Sequence, residues 1–196
     1  MATTIRTAAP ADVPQILSFI RALAAYEREP QAVTATEADL LRHGFGPNPF
    51  FSCLIAEQDG QPAGFALYFF NYSTWKGRPG LYLEDLFVQP EFRGRGIGKA
   101  LLRQVAAIAR EKGCPRLQWE VLDWNTPAID FYRAMGAEFL DEWRNVRVSG
   151  EALARLAAIA PPAADSPRAP SARLLSGERA GDRKSHPSSV QEEATR

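Results

Sequence analysis

A mixed α/β domain built on one central, mostly antiparallel sheet is the fold class the sequence predicts, on three observations. Strand-like runs in the first half are joined by a hairpin turn. A glycine-rich segment then separates an apolar strand-like run from an apolar helix-like run, and a further strand-like run follows, which gives a β-helix-β crossover. Helix-period segments flank both halves. Elements in that order form helices layered against a single sheet.

Thr3 to Thr7 reads as a short first strand. In Asp12 to Tyr26 the apolar residues Val13, Ile16, Leu17, Ile20, Leu23 and Ala24 recur at helical spacing. Thr36 caps a second helix over Glu37 to His43, which Gly44 and Gly46-Pro47 stop. Phe51 to Glu57 and Ala63 to Tyr72 form two strands joined by Asp59-Gly60, a hairpin signal, and an antiparallel meander is expected up to Val88. Beyond the glycines, Ile97, Leu101, Val105 and Ile108 share one helical face, and Gly113 with Pro115 ends that helix. Leu117 to Leu122 follows as a strand parallel to the one before the helix, because a long crossover permits that pairing. A shorter helix over Pro127 to Met135 stops at Gly136. Ala137 to Leu140 and Trp143 to Val148 are expected as a last strand pair, with a closing helix over Glu151 to Ile159.

The 196 residues divide by composition into a domain over 1–160 and a tail over 161–196. The tail is rich in Pro, Ser, Ala and Gly, has no aromatic residue, and keeps only Leu174, Leu175 and Val190 as large aliphatics. It cannot bury enough apolar surface to offset its ordering entropy, so a disordered low-complexity segment is expected. The first 160 residues carry 17 Lys and Arg against 18 Asp and Glu. No polybasic nucleic-acid surface is expected, nor a membrane span or signal segment, and the default is a cytoplasmic protein. Two cysteines suit a reducing compartment, and two histidines, one of them in the tail, leave too few ligands for a catalytic metal.

Arg93-Gly94-Arg95-Gly96-Ile97-Gly98-Lys99-Ala100 lies at the mouth of a helix, where unpaired N–H groups and the positive end of the macrodipole favour an anion. Two nucleotide loops fail on spacing. A P-loop needs a Ser or Thr after the lysine and a glycine five before Gly98, where Ala100 and Arg93 stand. A dinucleotide fingerprint needs G-x-G-x-x-G in the first βα turn, whereas these glycines run G-x-G-x-G well into the chain. The remaining pattern, R-x-x-G-x-G, resembles the pyrophosphate loop of the GCN5-related N-acetyltransferases (GNAT), which hold acetyl-CoA.

The likeness extends to the diamine (spermidine/spermine-type) branch of that family through several stretches. These are Ala25-Tyr26-Glu27, Asp39-Leu40-Leu41, Gly44-Phe45-Gly46, Leu81-Tyr82-Leu83-Glu84-Asp85-Leu86-Phe87-Val88, Trp124-Asn125-Thr126-Pro127-Ala128-Ile129 and Phe131-Tyr132-Arg133-Ala134-Met135-Gly136-Ala137. The resemblance implies the GNAT fold, with one parallel strand pair splayed around CoA, and a homodimer. It also implies that backbone from Leu86, Phe87 and Val88 holds the pantetheine arm. Arg93, Gly94, Arg95, Gly96, Ile97, Gly98 and Lys99 would hold the pyrophosphate, with Asn125 and Ala128 near the inner end of the cofactor.

Acetyl transfer to an amine sets two proton problems. A primary ammonium of pKa about 10 must lose a proton before it attacks, and a leaving thiolate of thiol pKa about 8.5 gains from receiving one. The resemblance places the base at Glu84, acting through water, and the acid at Tyr132. Strand alternation would send Glu84 and Asp85 to opposite faces, so only one reaches the site unless a bulge intervenes. A polycationic acceptor calls for carboxylates. Tyr26 with Glu27, and Glu142 beside Trp143, are the available pairs, with Glu84 as a further contact. Cys114 follows a helix C-terminus, where the dipole disfavours a thiolate, so direct attack in a ternary complex is expected over an acetyl-cysteine route. Other acceptors, namely an amino acid, an antibiotic or a protein N-terminus, fit the same loop, as does an acyl-CoA-binding module without turnover.

Overall fold

Five strands hydrogen-bond in the order β1-β2-β3-β4-β5, and the first four follow one another along both the chain and the sheet. The computed structural model describes residues 2–158, so the tail expected over 161–196 lies outside the described residues. Contacts divide the chain into one unit ending at Glu138 and another beginning at Phe139.

β1 (Thr3–Thr7), β2 (Ser52–Gln58), β3 (Gln61–Ser73) and β4 (Arg78–Val88) form the antiparallel meander. Asp59 and Gly60 take φ of 51° and 80°, the left-handed pair that a tight two-residue hairpin needs. α1 (Val13–Tyr26) and α2 (Glu37–Phe45) come between β1 and β2, and Thr36 caps α2 by accepting from the Asp39 N–H. α3 (Ile97–Glu111) is the crossover to β5 (Leu117–Gln118), which pairs with β4 in parallel, and α4 (Thr126–Ala134) follows.

Side-chain alternation along the strands builds one apolar cluster on each face of the sheet. Leu54, Ala66, Tyr68, Leu81 and Leu83 pack with Ile97, Leu101 and Val105 of α3 and with Tyr132 of α4. On the other face Cys53, Ile55, Phe65, Leu67 and Phe87 meet Val13, Ile16, Leu17 and Phe19 of α1 and Leu40 of α2. Phe19 stacks on Phe65 with ring centroids 5.5 Å apart.

Inside β4 the parity of this alternation reverses. Leu67 pairs with Asp85 while Tyr68 pairs with Leu83, so Glu84 is the extra residue of a β-bulge. Before it, Leu81 and Leu83 face α3; after it, Phe87 faces α1.

Two expectations are corrected. β5 ends at Gln118 rather than Leu122, because the parallel partner separates from β4 after two residue pairs. Residues 137–140 and 143–148 form no strand. In the second unit the Trp143 N–H turns back to the Leu140 carbonyl at 3.0 Å, and an alternating apolar pattern without a laddered neighbour has nothing to hold it extended. The closing helix of that unit, α5, spans Gly150–Ala157.

Candidate active site

Where β5 leaves β4, a cleft of about 610 Å³ opens. One wall carries Leu86, Phe87 and Val88; the other carries Trp119 to Leu122 with Asn125, Ala128 and Tyr132 of the α4 region. The glycine loop lines it through Gly94, Gly96, Ile97, Gly98 and Lys99.

Gly94 and Gly96 take φ of 76° and 80°, and a Cβ built on either would meet nothing within 4 Å. Their glycine character therefore answers to backbone conformation beneath open space, not to crowding by the protein. Gly96 is the N-cap of α3 and offers no side-chain acceptor, so the first-turn N–H groups keep their capacity for an anion. Arg93 Nε donates to the Val88 carbonyl at 3.0 Å, which ties the loop to the end of β4. These features fit the pyrophosphate of CoA. Arg95 departs from expectation, because it does not line the cleft. Its Nη2 donates to the Glu91 carbonyl at 2.9 Å, and its guanidinium lies 5.4 Å from the Phe92 ring centroid.

Carboxylates gather in the same cleft. Glu27, from the end of α1, lines it, and so do both Glu84 and Asp85, because the bulge overrides simple alternation. Burial first, then the negative charges of Glu84 and Glu27, pushes the Asp85 carboxyl up to about 7. Burial also raises Glu27. Asp85 is thus the group poised near neutrality, and sequence reasoning passed over it in favour of Glu84. No local signal marked the bulge, because Leu81 to Val88 is apolar on both faces apart from Glu84-Asp85.

Tyr132 is buried, its ring centroid 5.0 Å from that of Trp119 and 5.2 Å from that of Phe131. Burial and the charge of Glu27 push its phenol up to about 12. Tyr26, expected as an acceptor contact, also lines the cleft. Its hydroxyl donates to Asn125 Oδ1 at 2.9 Å, and the same oxygen accepts from the Ala128 N–H at 3.4 Å, capping α4. The Arg93 guanidinium lies 4.8 Å from the Tyr26 ring centroid, so this tyrosine touches both walls of the cleft. Glu142, the other acceptor contact expected, belongs to the second unit. Neither cysteine lines the cleft, and burial pushes the Cys53 thiol up to about 12. No helix among the described residues is long and apolar enough to cross a membrane.

A splayed parallel pair whose cleft is lined by uncapped helix amides and by a protonated phenol with carboxylates has the features of an acyl-CoA-dependent acyltransferase site. The model of the acetyltransferase (GNAT) family matches residues 17–137, and the chain belongs to that family. It is an acetyl-CoA-dependent N-acetyltransferase. The chain is 46% identical over 164 residues to the thialysine N-epsilon-acetyltransferase of Bos taurus, covering 78% of this chain and 96% of that one. It is 40% identical to the human spermidine/spermine N(1)-acetyltransferase-like protein 1, over 78% of this chain and 23% of that protein. Among solved structures, an integron cassette protein from V. cholerae superposes with a TM-score of 0.69 at 28% identity, over 81% of this chain and 99% of that one.

Proposed function

We propose that the protein acetylates the terminal primary amine of a small acceptor, a polyamine or a thialysine-like amino acid, by direct attack within a ternary complex. The observation that carries this reading is that Glu27, Glu84, Asp85 and Tyr132 line the same cleft as the glycine loop. Acetyl-CoA supplies the thioester carbonyl carbon and a thiolate leaving group. Glu27 and Glu84 draw the ammonium in by charge. Asp85, half-protonated near pH 7, accepts the proton that the ammonium must lose, and Glu84, exposed at the bulge, passes protons through water to solvent. Tyr132 gives its proton to the departing sulfur as the C–S bond breaks and regains one from solvent. Residues 1–160 act as the catalytic domain on this reading. The two free cysteines suit a cytoplasmic setting, and the family resemblance suggests a homodimer, which light scattering on the purified protein tests.

A thiol-release assay with spermidine, spermine, thialysine, lysine and a short peptide tests the function. Turnover of the small amines in preference to the peptide is expected. A preference for the peptide moves the acceptor to a protein N-terminus, and acetyl-CoA binding without release against any amine reduces the protein to a binding module.

A further inference from the structure

The two relatives named above carry the names of different acceptors, one an amino acid and the other a polyamine, and the surroundings of Arg28 bear on the choice. This argument rests on the amine-acetylating reading of the same cleft. α1 ends at Tyr26, and the chain turns through Arg28 at φ 69°, the left-handed position at which helices usually place glycine. The turn is closed by the Arg28 N–H on the Ala25 carbonyl at 3.2 Å and the Glu29 N–H on the Ala24 carbonyl at 2.9 Å. A long cationic side chain is therefore held where a glycine would be less strained. Its guanidinium lies 4.3 Å from the ring centroid of Trp124, which itself packs 6.1 Å from the Tyr26 ring. Although Glu27 and Glu29 flank it, Arg28 makes no ion pair among the described residues. A stacked, solvent-exposed guanidinium keeps its planar fork of donors free for a carboxylate.

Glu27, one residue earlier, lines the cleft, and its charge is felt by Asp85 and Tyr132. The acceptor end thus has an acidic interior and, next to Glu27, a cation. A polyamine presents only positive charge, so its distal ammonium would be repelled by Arg28. An α-amino acid bearing a side-chain amine presents an ammonium to the interior and a zwitterion to the rim. We propose that Glu27 and Arg28 form a zwitterion-reading pair that selects such an amino acid, with Arg28 binding the α-carboxylate, Glu27 the α-ammonium, and the side-chain amine directed to Asp85 and Tyr132.

Matched acceptors test this. Thiol release is measured for L-lysine against cadaverine, and for thialysine against its decarboxylated diamine, with the full chain and its Arg28→Gln, Arg28→Lys and Arg28→Gly variants. The wild type is expected to favour each amino acid over its diamine. Arg28→Gln should lower kcat/KM for the amino acids by about tenfold or more, through KM, while raising it severalfold for the diamines. Arg28→Lys should retain part of the preference. Arg28→Gly removes the guanidinium while suiting the left-handed backbone, so it separates charge from folding and should match Arg28→Gln. A wild-type preference for diamines, or variants that change both acceptors by the same factor, overturns the proposal. No release with any acceptor, while calorimetry shows acetyl-CoA bound, overturns the underlying amine reading and the selectivity with it.

Discussion

A tyrosine that protonates a leaving thiolate must hold its proton until sulfur carries charge. The Tyr132 phenol, pushed up to about 12 by burial and the charge of Glu27, stays protonated throughout the working range, while the thiolate of a thiol of pKa about 8.5 is a weaker base than the phenolate. The advantage lies in placement, because the hydroxyl is held by the packing of its ring between Trp119 and Phe131. Tyr132→Phe keeps the packing and removes the proton, and kcat is expected to fall by about tenfold to a hundredfold with the KM for acetyl-CoA little changed. Steady-state kinetics decide, and a loss below tenfold removes the acid role. The base is tested separately. Asp85 is competent only when ionised, so kcat/KM should rise with pH through about 7. Asp85→Asn should remove that acidic limb and cut the rate at pH 8 by about tenfold or more, whereas Glu84→Gln should keep the limb and lower the rate. The reverse pattern would return the base to Glu84.

At the scale of elements, the glycine loop and the β4 bulge make the site, and they differed in legibility. Helix periods, the Asp59-Gly60 hairpin and the Arg93 to Ala100 spacing are local chemistry, so they could be read from sequence. The bulge could not, because Leu81 to Val88 is apolar on both faces apart from Glu84-Asp85, and such a run fixes no single parity. That Asp85 lines the cleft together with Glu84 could not be read from the sequence for that reason. The strands expected over 137–148 failed for the opposite one: alternation was present, but ladder partners are a property of the fold. The loop yields its own prediction. Gly96→Ala places a Cβ in open space but forces a left-handed alanine, costing about 1–2 kcal/mol. A lower Tm is expected, together with weaker CoA binding by calorimetry, since the amides of the first turn of α3 are aimed by that residue. An unchanged Tm would show that the loop relaxes without strain.

Catalytic demands and stability compete across the sheet. Its two faces are filled independently, α1 and α2 against one and α3 with α4 against the other, and β4 contributes to both by changing parity at Glu84. A carboxyl at that crossover sits against the core, which is why Asp85 titrates near 7. A group that binds its proton more tightly when folded than when unfolded favours folding only while protonated, so its contribution falls as pH rises from about 4 to about 7. Asp12 has the opposite sign. Arg6 holds it through two bonds of 2.7 and 2.8 Å, its carboxyl lies below the ordinary value, and its stabilisation is present above pH 4 and lost in stronger acid. Asp85→Asn removes only the first effect. The variant should melt at a higher temperature than the wild type at pH 8 and at about the same temperature at about pH 3.5, below the unfolded-chain value, where the carboxyl is mostly protonated in both the folded and the unfolded chain. Calorimetric or dichroism melts at the two pH values measure this, and they do so in the variant expected to lose activity. A pH-independent change in Tm would mean that Asp85 carries its charge without cost and is not the tuned base. A gain confined to high pH would show that the folded chain gives up stability to keep a carboxylate available beside the amine.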